Sequence, residues 1–262
     1  MKWTRQEYID LMTGKKPQKQ MFCELFGPLL GLEKEWEAQG ASPEEISMEA
    51  FDFDYVPQCM VANIGPIHAY EPVVIEDNDE YYIGKDELGR TVKLCKNTAT
   101  IPLPMDFPVT DMESWLKIKP MFTFYPERID WELVEKAKQL QKEGTLILAQ
   151  IPGGFDMPRE LMGEENLCLC YYEESELMED IIQTISDTSY QVLDAISKEL
   201  VIDNLVVHED MAGKGGPLIG PNLVREFIAP YYKRIWDLVH SRGTQLCSQD
   251  SDGNICLLYT SR

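Results

Sequence analysis

The fold and the candidate site are both decided by residues 206–221, which read VVHEDMAGKGGPLIGP. A short apolar run stops here in three consecutive titratable residues, His208, Glu209 and Asp210, and a glycine-rich segment follows. Apolar runs of this length are typical of buried strands, and in a parallel α/β barrel the residues that close a strand lie where catalysis takes place. A solvated loop after a strand is the plainer interpretation. We favour a site, because the three side chains are consecutive and the glycines let the backbone approach a ligand closely.

On both sides of this stretch, short apolar runs alternate with segments of helical pattern. Strands are predicted over residues 145–151 and 244–249, and residues 175–200 carry apolar side chains three and four positions apart, which predicts a long amphipathic helix. Strands that alternate with helices indicate a parallel α/β architecture. The predicted strands end in polar or glycine-rich segments that would form a single mouth, at residues 150–154, 208–210 and 250–253.

The first part of the chain has a different pattern. Residues 1–50 contain short helical segments, and between these segments residues 21–28 are either a first strand or a buried loop. Residues 51–56 alternate apolar and acidic side chains, which predicts a strand with an inward-facing aspartate. Between residues 71 and 104, two β-rich runs flank a glycine-containing turn, which predicts a β-hairpin insertion.

Composition restricts the class of partner. The chain has 24 Lys+Arg against 45 Asp+Glu, a net charge of -21, whereas nucleic-acid binding needs clustered cations, so we expect no nucleic-acid partner. No run approaches the roughly 18 consecutive apolar residues of a membrane span, so we expect no membrane partner. Seven cysteines form an odd set without framework spacing, and no apolar signal segment follows the N-terminus. These features predict a cytoplasmic protein.

Residues 204–254 resemble the uroporphyrinogen decarboxylase superfamily. The resemblance is carried by EDMAGKGGPLIGP at 209–221, REFIAPYYKRI at 225–235 and DSDGN at 250–254, and weaker likeness is seen in NIGP at 63–66 and RELMGEEN at 159–166. It implies a (β/α)8 barrel of TIM type, whose deep mouth binds a tetrapyrrole or another small-molecule substrate that carries a methyl group.

The superfamily has two main chemistries: decarboxylation of uroporphyrinogen in porphyrin and haem biosynthesis, and methyl transfer from corrinoid proteins to thiols such as coenzyme M. The decarboxylases carry an Arg-Gln-Ala-Gly-Arg motif near the N-terminus that grips the carboxylates of the substrate. Here residues 21–27 read MFCELFG and contain no arginine. The chain therefore resembles the methyltransferase branch. The resemblance implies an enzyme for corrinoid-linked methyl transfer to a small acceptor, with a corrinoid protein as partner.

Two alternatives stay open. One is uroporphyrinogen decarboxylase itself. The other, of a different class, is a non-catalytic barrel that binds a tetrapyrrole or a corrinoid protein, because carboxylates replace the expected zinc ligands. The thiol methyltransferases hold zinc with a His-x-Cys pair, and the aligned residues here are Asp250 and Asp252. Two carboxylates bind a harder divalent metal or act as acid and base, although an Asx-turn is the plainer interpretation.

The predicted site follows from these considerations. Asp250 and Asp252 are the candidate metal ligands, and Asp54 lies roughly where the decarboxylases keep an essential aspartate. The predicted catalytic residues are His208, Glu209, Asp210, Asp250, Asp252 and Asp54. Glycines that let the backbone approach a cofactor are the predicted cofactor-binding residues: Gly213, Gly215, Gly216 and Gly253.

The resemblance predicts one barrel domain over residues 1–255, with a helical segment at 1–50 and the hairpin insertion at about 71–104. A complete barrel needs eight βα units, and about five or six can be counted here. Residues 256–262 do not continue the pattern of the family, so they are predicted to be a non-native tail on a truncated chain. We expect such an incomplete barrel to be unstable alone, because an open parallel sheet leaves apolar faces uncovered.

Overall fold

The computed structural model describes residues 2–15, 20–24, 26–29 and 31–260. The strands are β1 Gln58–Asn63, β2 Val73–Asp77, β3 Tyr81–Lys85, β4 Thr91–Cys95, β5 Leu103–Pro104, β6 Leu146–Ile151, β7 Asn204–His208, β8 Ala212–Gly213, β9 Gly216–Pro217 and β10 Leu246–Asp250. The helices are α1 Arg5–Met12, α2 Leu32–Ala38, α3 Pro43–Ile46, α4 Met112–Ile118, α5 Trp131–Lys142, α6 Asp156–Met162, α7 Glu164–Glu173, α8 Ser175–Ser197, α9 Pro221–Leu223, α10 Ala229–Ser241 and α11 Cys256–Thr260. Within this described part, none of the helices combines the length and the apolar character that a membrane span needs.

The chain divides into two compact units. One unit consists of Met1–Pro57 with Tyr70–Asp106, and the other of Gln58–Ala69 with Phe107–Arg262. All the strand tips that the sequence singles out between residues 150 and 253 belong to the second unit.

The second unit is built on a parallel sheet with the strand order β1-β6-β7-β10. Gln150 of β6 lies opposite Val206 of β7, and His208 of β7 lies opposite Asp250 of β10. Five of the six residues of β6 are buried, as expected for a parallel strand that is covered on both faces. The three strands predicted over this region are confirmed, and so is the mixed α/β fold. The described residues place four strands in this sheet, and the eight-stranded barrel stays a prediction.

Helix α8 supplies a large part of the apolar core of the second unit. Its buried positions recur three and four residues apart, as the sequence predicts, so one face of the helix is apolar. Full burial of each large aliphatic side chain on this face contributes about 1.5–3 kcal/mol. Asp180 on the same helix accepts hydrogen bonds from the Trp115 indole at 2.6 Å and from the Lys119 ammonium at 2.7 Å. These bonds join α8 to the α4 region.

Helix α10 begins one residue before Pro230, and the preceding segment Val224–Ile228 is π-helical. A proline lacks the amide hydrogen that an uninterrupted α-helix would use, so the helix is expected to change its hydrogen-bond pattern here. The helix therefore changes type just before Pro230.

The first unit contains α1, α2 and α3 and an antiparallel sheet of the order β2-β3-β4-β5. Tyr82 of β3 lies opposite Leu94 of β4, and the turn between these strands is closed by Asp86, which accepts hydrogen bonds from the amides of Leu88 and Arg90. The predicted hairpin is confirmed, and the structure extends it by one strand on each side.

The strand predicted over residues 51–56 is wrong. Tyr55 alone makes an isolated bridge, to Lys2. Asp54 instead pairs with Phe22: its amide donates to the Phe22 carbonyl at 2.6 Å, and its carboxylate accepts from the Phe22 amide at 2.9 Å. These bonds join residues 32 positions apart, so the alternation within residues 51–56 could not show them. Residues 21–24 and 26–28 form no strand either, and Leu25 lies outside the described residues.

Candidate functional site

The carboxyl ends of three neighbouring parallel strands form the candidate site. Strand β6 leads into residues 152–155 and the first turn of α6, β7 ends in His208, and β10 ends in Asp250. The amide of Glu209 donates to the carbonyl of Asp250 at 2.8 Å, which joins the segments after β7 and β10. Residues from three strand tips therefore converge, as expected where parallel strands end at one edge of a sheet.

The centre of the site is a hydrogen bond between His208 and Asp156. The two atoms, His208 Nδ1 and Asp156 Oδ2, are 2.9 Å apart. The Asp156 side chain is 12% exposed, whereas the His208 side chain is 49% exposed. A carboxylate can only accept, so the imidazole donates from Nδ1 and its Nε2 is left for another partner. Nε2 lies 3.7 Å from Asp210 Oδ2.

Charge determines the protonation of His208. Partial burial lowers the pKa of the imidazole, but the hydrogen bond and negative charge of Asp156, together with the charges of Asp210 and Asp250, outweigh this and raise the pKa above 6.5. Histidine is the side chain whose ordinary pKa is closest to neutral, and the facing carboxylates favour its protonated form. The site can therefore take up or release a proton under ordinary conditions.

Arg159 neutralises much of the negative charge around this pair. Its guanidinium contacts Asp156 Oδ1 from two nitrogens, at 2.5 and 3.1 Å, and approaches Asp210 Oδ2 at 3.9 Å. Its other ion pairs are with Glu160 and Glu164. Each oxygen of Asp156 is thus engaged, one by Arg159 and one by His208.

Glu209 lies behind this pair and is fully buried, with no exposed surface. Its carboxylate accepts from the amide of Phe155 at 2.8 Å and from the amide of Asp156 at 3.1 Å, and it also bonds to the Tyr232 hydroxyl. Burial raises the pKa of Glu209 to about 7, although these hydrogen bonds pull it downward, and the charge of Asp156 adds to the rise.

Asp210, Asp252 and Gly253 hold the segments after β7 and β10 together. Asp210 Oδ1 accepts from the Asp252 amide at 2.8 Å. Gly253 has φ +81°, and a Cβ on it would collide with the backbone of Ala212. At Gly253 the backbone therefore approaches the backbone of Ala212 closely, and a role of this glycine in cofactor binding stays a prediction. The side chains of Asp250 and Asp252 are exposed.

The other three predicted cofactor-binding glycines lie in and around the small β8-β9 hairpin. A Cβ added to Gly213, Gly215 or Gly216 would meet no atom within 4 Å, and only Gly216 among them has a positive φ, +136°. Space next to this hairpin is therefore open, and a role in cofactor binding stays a prediction.

The described residues contain one group of three side chains that could offer ligand atoms to a metal ion: Asp156, His208 and Asp210, whose ligand atoms lie within 4.8 Å of one another. The predicted metal ligands, Asp250 and Asp252, are not in it. The group contains no thiolate, and both of its carboxylates already lie near the Arg159 guanidinium. These residues therefore do not fit the zinc centre that the resemblance implies, because that centre depends on thiolate and imidazole ligands.

Asp54 belongs to the first unit. Its side chain is buried, and the hydrogen bond from the Phe22 amide holds the pKa of this carboxyl below its ordinary value, against the opposing effect of burial. The bond joins Phe22 to Asp54, and a catalytic role for Asp54 stays a prediction.

The structure adds residues to the site that the sequence analysis did not assign. Asp156 and Arg159 lie on the first helix after β6, and Tyr232 lies on α10. Asp156 is the first residue of its helix and lies two residues after the glycine pair that follows β6. Because catalytic residues in parallel α/β folds lie just after the carboxyl ends of the strands, this position could have been singled out in the same way as His208. Arg159 opens the RELMGEEN segment, but nothing in the segment itself indicates its partners.

No family model matches the sequence, and no curated protein matches it. The structure is similar to that of a methyltransferase from Methanosarcina mazei, with 11% sequence identity, a TM-score of 0.49, and coverage of 97% of this chain and 71% of that chain. At that identity and TM-score the likeness assigns neither a family nor an activity.

Proposed function

We propose that the chain is an enzyme in which His208 acts as a general base and Asp156 orients it. The observation that carries this proposal is the 2.9 Å hydrogen bond between His208 Nδ1 and a carboxylate oxygen of the nearly buried Asp156, at the end of a parallel strand. A general base needs a nitrogen within reach of the substrate and a pKa near the working pH. Half of the His208 side chain is exposed, and the facing carboxylates raise its pKa from the ordinary value of a histidine, which is itself close to neutral.

Asp156 supports this role in two ways. By accepting the Nδ1 hydrogen it fixes the tautomer in which Nε2 is free to take a proton, and its charge stabilises the imidazolium that forms. Arg159 holds the other oxygen of the same carboxylate and so restricts its rotation. The arrangement of carboxylate, imidazole and open nitrogen is typical of sites that remove a proton from a nucleophile.

We further propose that the nucleophile is a small methyl acceptor, and this part rests on the sequence resemblance to the corrinoid-linked methyltransferases. When the sulfur, nitrogen or oxygen of an acceptor forms a bond to the incoming methyl carbon, the bond between that carbon and its donor breaks and its electron pair stays with the donor. The hydrogen on the acceptor atom leaves as a proton, and His208 Nε2 receives it. A corrinoid carried by a partner protein would supply the methyl group.

In this proposal the imidazole does the work that a metal does in zinc-dependent relatives of this superfamily, namely making the acceptor nucleophilic near neutral pH. The Asp156, His208 and Arg159 group supports that substitution, since its charges are already paired within the protein.

The test is methyl transfer from methylcobalamin to a panel of small thiols, amines and phenols, assayed with the chain and its variants. His208→Gln and Asp156→Asn are expected to lower kcat/KM by about 10²-fold or more, which is the usual contribution of a general base. His68→Gln is the matched control, because His68 is an exposed imidazole that pairs with Glu127 at 2.8 Å. Full activity in His208→Gln contradicts the proposal. Turnover of uroporphyrinogen without any methyl transfer would favour the decarboxylase instead.

A further inference from the structure

The segment from Pro152 to Asp156, which joins β6 to α6, is held in place by side chains of β7's end and α10. The Tyr231 hydroxyl donates to the carbonyl of Pro152 at 2.9 Å. The amide of Gly154 donates to the Tyr232 hydroxyl at 3.0 Å, and the same hydroxyl bonds to the carboxylate of Glu209. Both tyrosines are almost fully buried, so these bonds form away from water, where unmade polar contacts are costly.

Glu209 makes the contacts nearest to Asp156. One carboxylate oxygen accepts from the Phe155 amide and the other from the Asp156 amide, so the two bonds fix consecutive peptide units. Because the second of those amides is that of Asp156 itself, Glu209 fixes the backbone from which the Asp156 carboxylate extends to His208.

Gly153 is required for this contact. A Cβ at that position would lie 2.8 Å from the Cβ of Asp156 and would overlap both the Glu209 carboxylate and the carbonyl of His208. The glycine therefore allows the end of β7 and the segment after β6 to approach each other closely.

We propose that Glu209 is a positioning residue, which acts on His208 through Asp156 by holding the Phe155 and Asp156 amides. It has no exposed surface, and both of its oxygens are engaged by the protein. Glu209 therefore does not reach a substrate. It determines where the Asp156 carboxylate, which orients His208, lies. The catalytic consequence of this inference rests on the proposed function, but the physical link from Glu209 to His208 does not.

Charged and titratable groups surround both Glu209 and His208. Glu209 faces Asp156 and the hydroxyls of Tyr171, Tyr231 and Tyr232, and burial is the main reason that the pKa of Glu209 is raised to about 7. His208 is affected by Asp156, Asp210 and Asp250, whose charges raise its pKa against the effect of burial. Asp250 has its effect through charge alone, and it serves as a comparison for a residue that does not hold the segment.

The test is an NMR titration of the imidazole signals of the 262-residue chain, which has three histidines. The signal of His208 is assigned by its loss in His208→Gln. Glu209→Gln keeps the size of the side chain but replaces one acceptor oxygen by an amide group that cannot accept. The His208 midpoint is expected to fall by about half a pKa unit or more, as the hydrogen bond to Asp156 loosens. Tyr232→Phe, which removes the hydroxyl bonded to Glu209 and Gly154, is expected to shift the midpoint in the same direction.

A double-mutant cycle separates positioning from a direct effect of charge. In an Asp156→Asn background, Glu209→Gln and Tyr232→Phe are expected to have almost no further effect on His208, because the group through which they act is gone. Asp250→Asn, the control, is expected to lower the midpoint by the same amount in both backgrounds. Additive shifts for Glu209→Gln, or an unchanged midpoint in the folded variants, would overturn the inference, and Tyr232→Phe decides the matter if Glu209→Gln does not fold.

The outcome is separable from that of the proposed function. A non-additive cycle in a protein without methyl transfer would support the positioning role and reject the proposed reaction. An additive cycle in an active methyltransferase would do the opposite. In an active enzyme, Glu209→Gln is also expected to lower kcat with little change in KM and to shift the midpoint of the pH–rate profile downward.

Discussion

Replacement of Asp156 by Asn tests the link between the carboxylate and His208 most simply. The substitution removes one negative charge and a charge-assisted hydrogen bond of 2.9 Å. Two unit charges about 4 Å apart interact by roughly 4 kcal/mol at an effective dielectric constant of about 20, and exposure of half of the imidazole reduces this several-fold. A remaining effect of about 1 kcal/mol corresponds to somewhat less than one pKa unit.

The direction of the change follows from the chemistry. Partial burial opposes protonation of His208 and Asp156 favours it, so loss of Asp156 lets the pKa of His208 fall. A general base works in its neutral form, so the rate rises with pH through this pKa. We expect the midpoint of the pH–rate profile to move to lower pH in Asp156→Asn, while the plateau falls about 10²-fold because the orientation of the ring is lost.

The assay is kcat/KM against pH for methyl transfer, with the pKa of His208 measured in parallel by NMR. Asp187→Asn is a matched control, because Asp187 also pairs with an arginine, Arg234 at 2.6 Å, but lies on α8 and not at a strand tip. A midpoint that stays in place or moves upward in Asp156→Asn would refute the electrostatic reasoning. A plateau equal to that of the wild type would refute the orienting role.

Three other predictions concern stability and the donor set of the site. Because the pKa of Glu209 is raised from 4.5 to about 7, the folded state binds more protons than the unfolded state between those two values. The free energy of unfolding should therefore fall as pH rises across this window. Urea titrations should show a weaker fall in Glu209→Gln. Gly153→Ala should lower the free energy of unfolding by about 1–3 kcal/mol, because the added Cβ overlaps Glu209. Gly213→Ala, at a position where the space is open, should cause no such loss. Equal thermal shifts in the two variants would contradict this. Treatment with a chelator should leave methyl transfer unchanged, because Arg159 already pairs with the carboxylates beside His208; a loss of activity that zinc restores would contradict this.

The order of strands and helices in the second unit could be predicted because its pattern is dense and regular. The apolar run over residues 145–151 and the spacing of apolar residues in α8 leave little choice of structure, and both are present where the sequence places them. Strand ends at His208 and Asp250 could be predicted for the same reason. In residues 51–56 the alternation is as regular, but the bonds between Asp54 and Phe22 join positions 32 apart, and no local pattern shows them.

The candidate site was predicted less completely, because it depends on contacts between segments. The sequence singles out His208, Glu209 and Asp210 as one set, yet the fold exposes the first and buries the second, since neighbouring residues at a strand end point to opposite sides. Asp156 is 52 positions from His208, and only the pairing of β6 with β7 brings the two together. Register across a parallel sheet is a property of the packed structure, so the partner of His208 could not be read from its neighbours in sequence.

The most direct test of the central claim is the tautomer of His208, measured from the imidazole ¹⁵N chemical shifts at a pH above its pKa. The 2.9 Å bond to Asp156 predicts a neutral ring with its hydrogen on Nδ1 and a bare Nε2, the nitrogen that would receive the proton of the acceptor. In Asp156→Asn this preference should weaken. A neutral His208 that carries its hydrogen on Nε2 in the wild-type chain would contradict the proposed base.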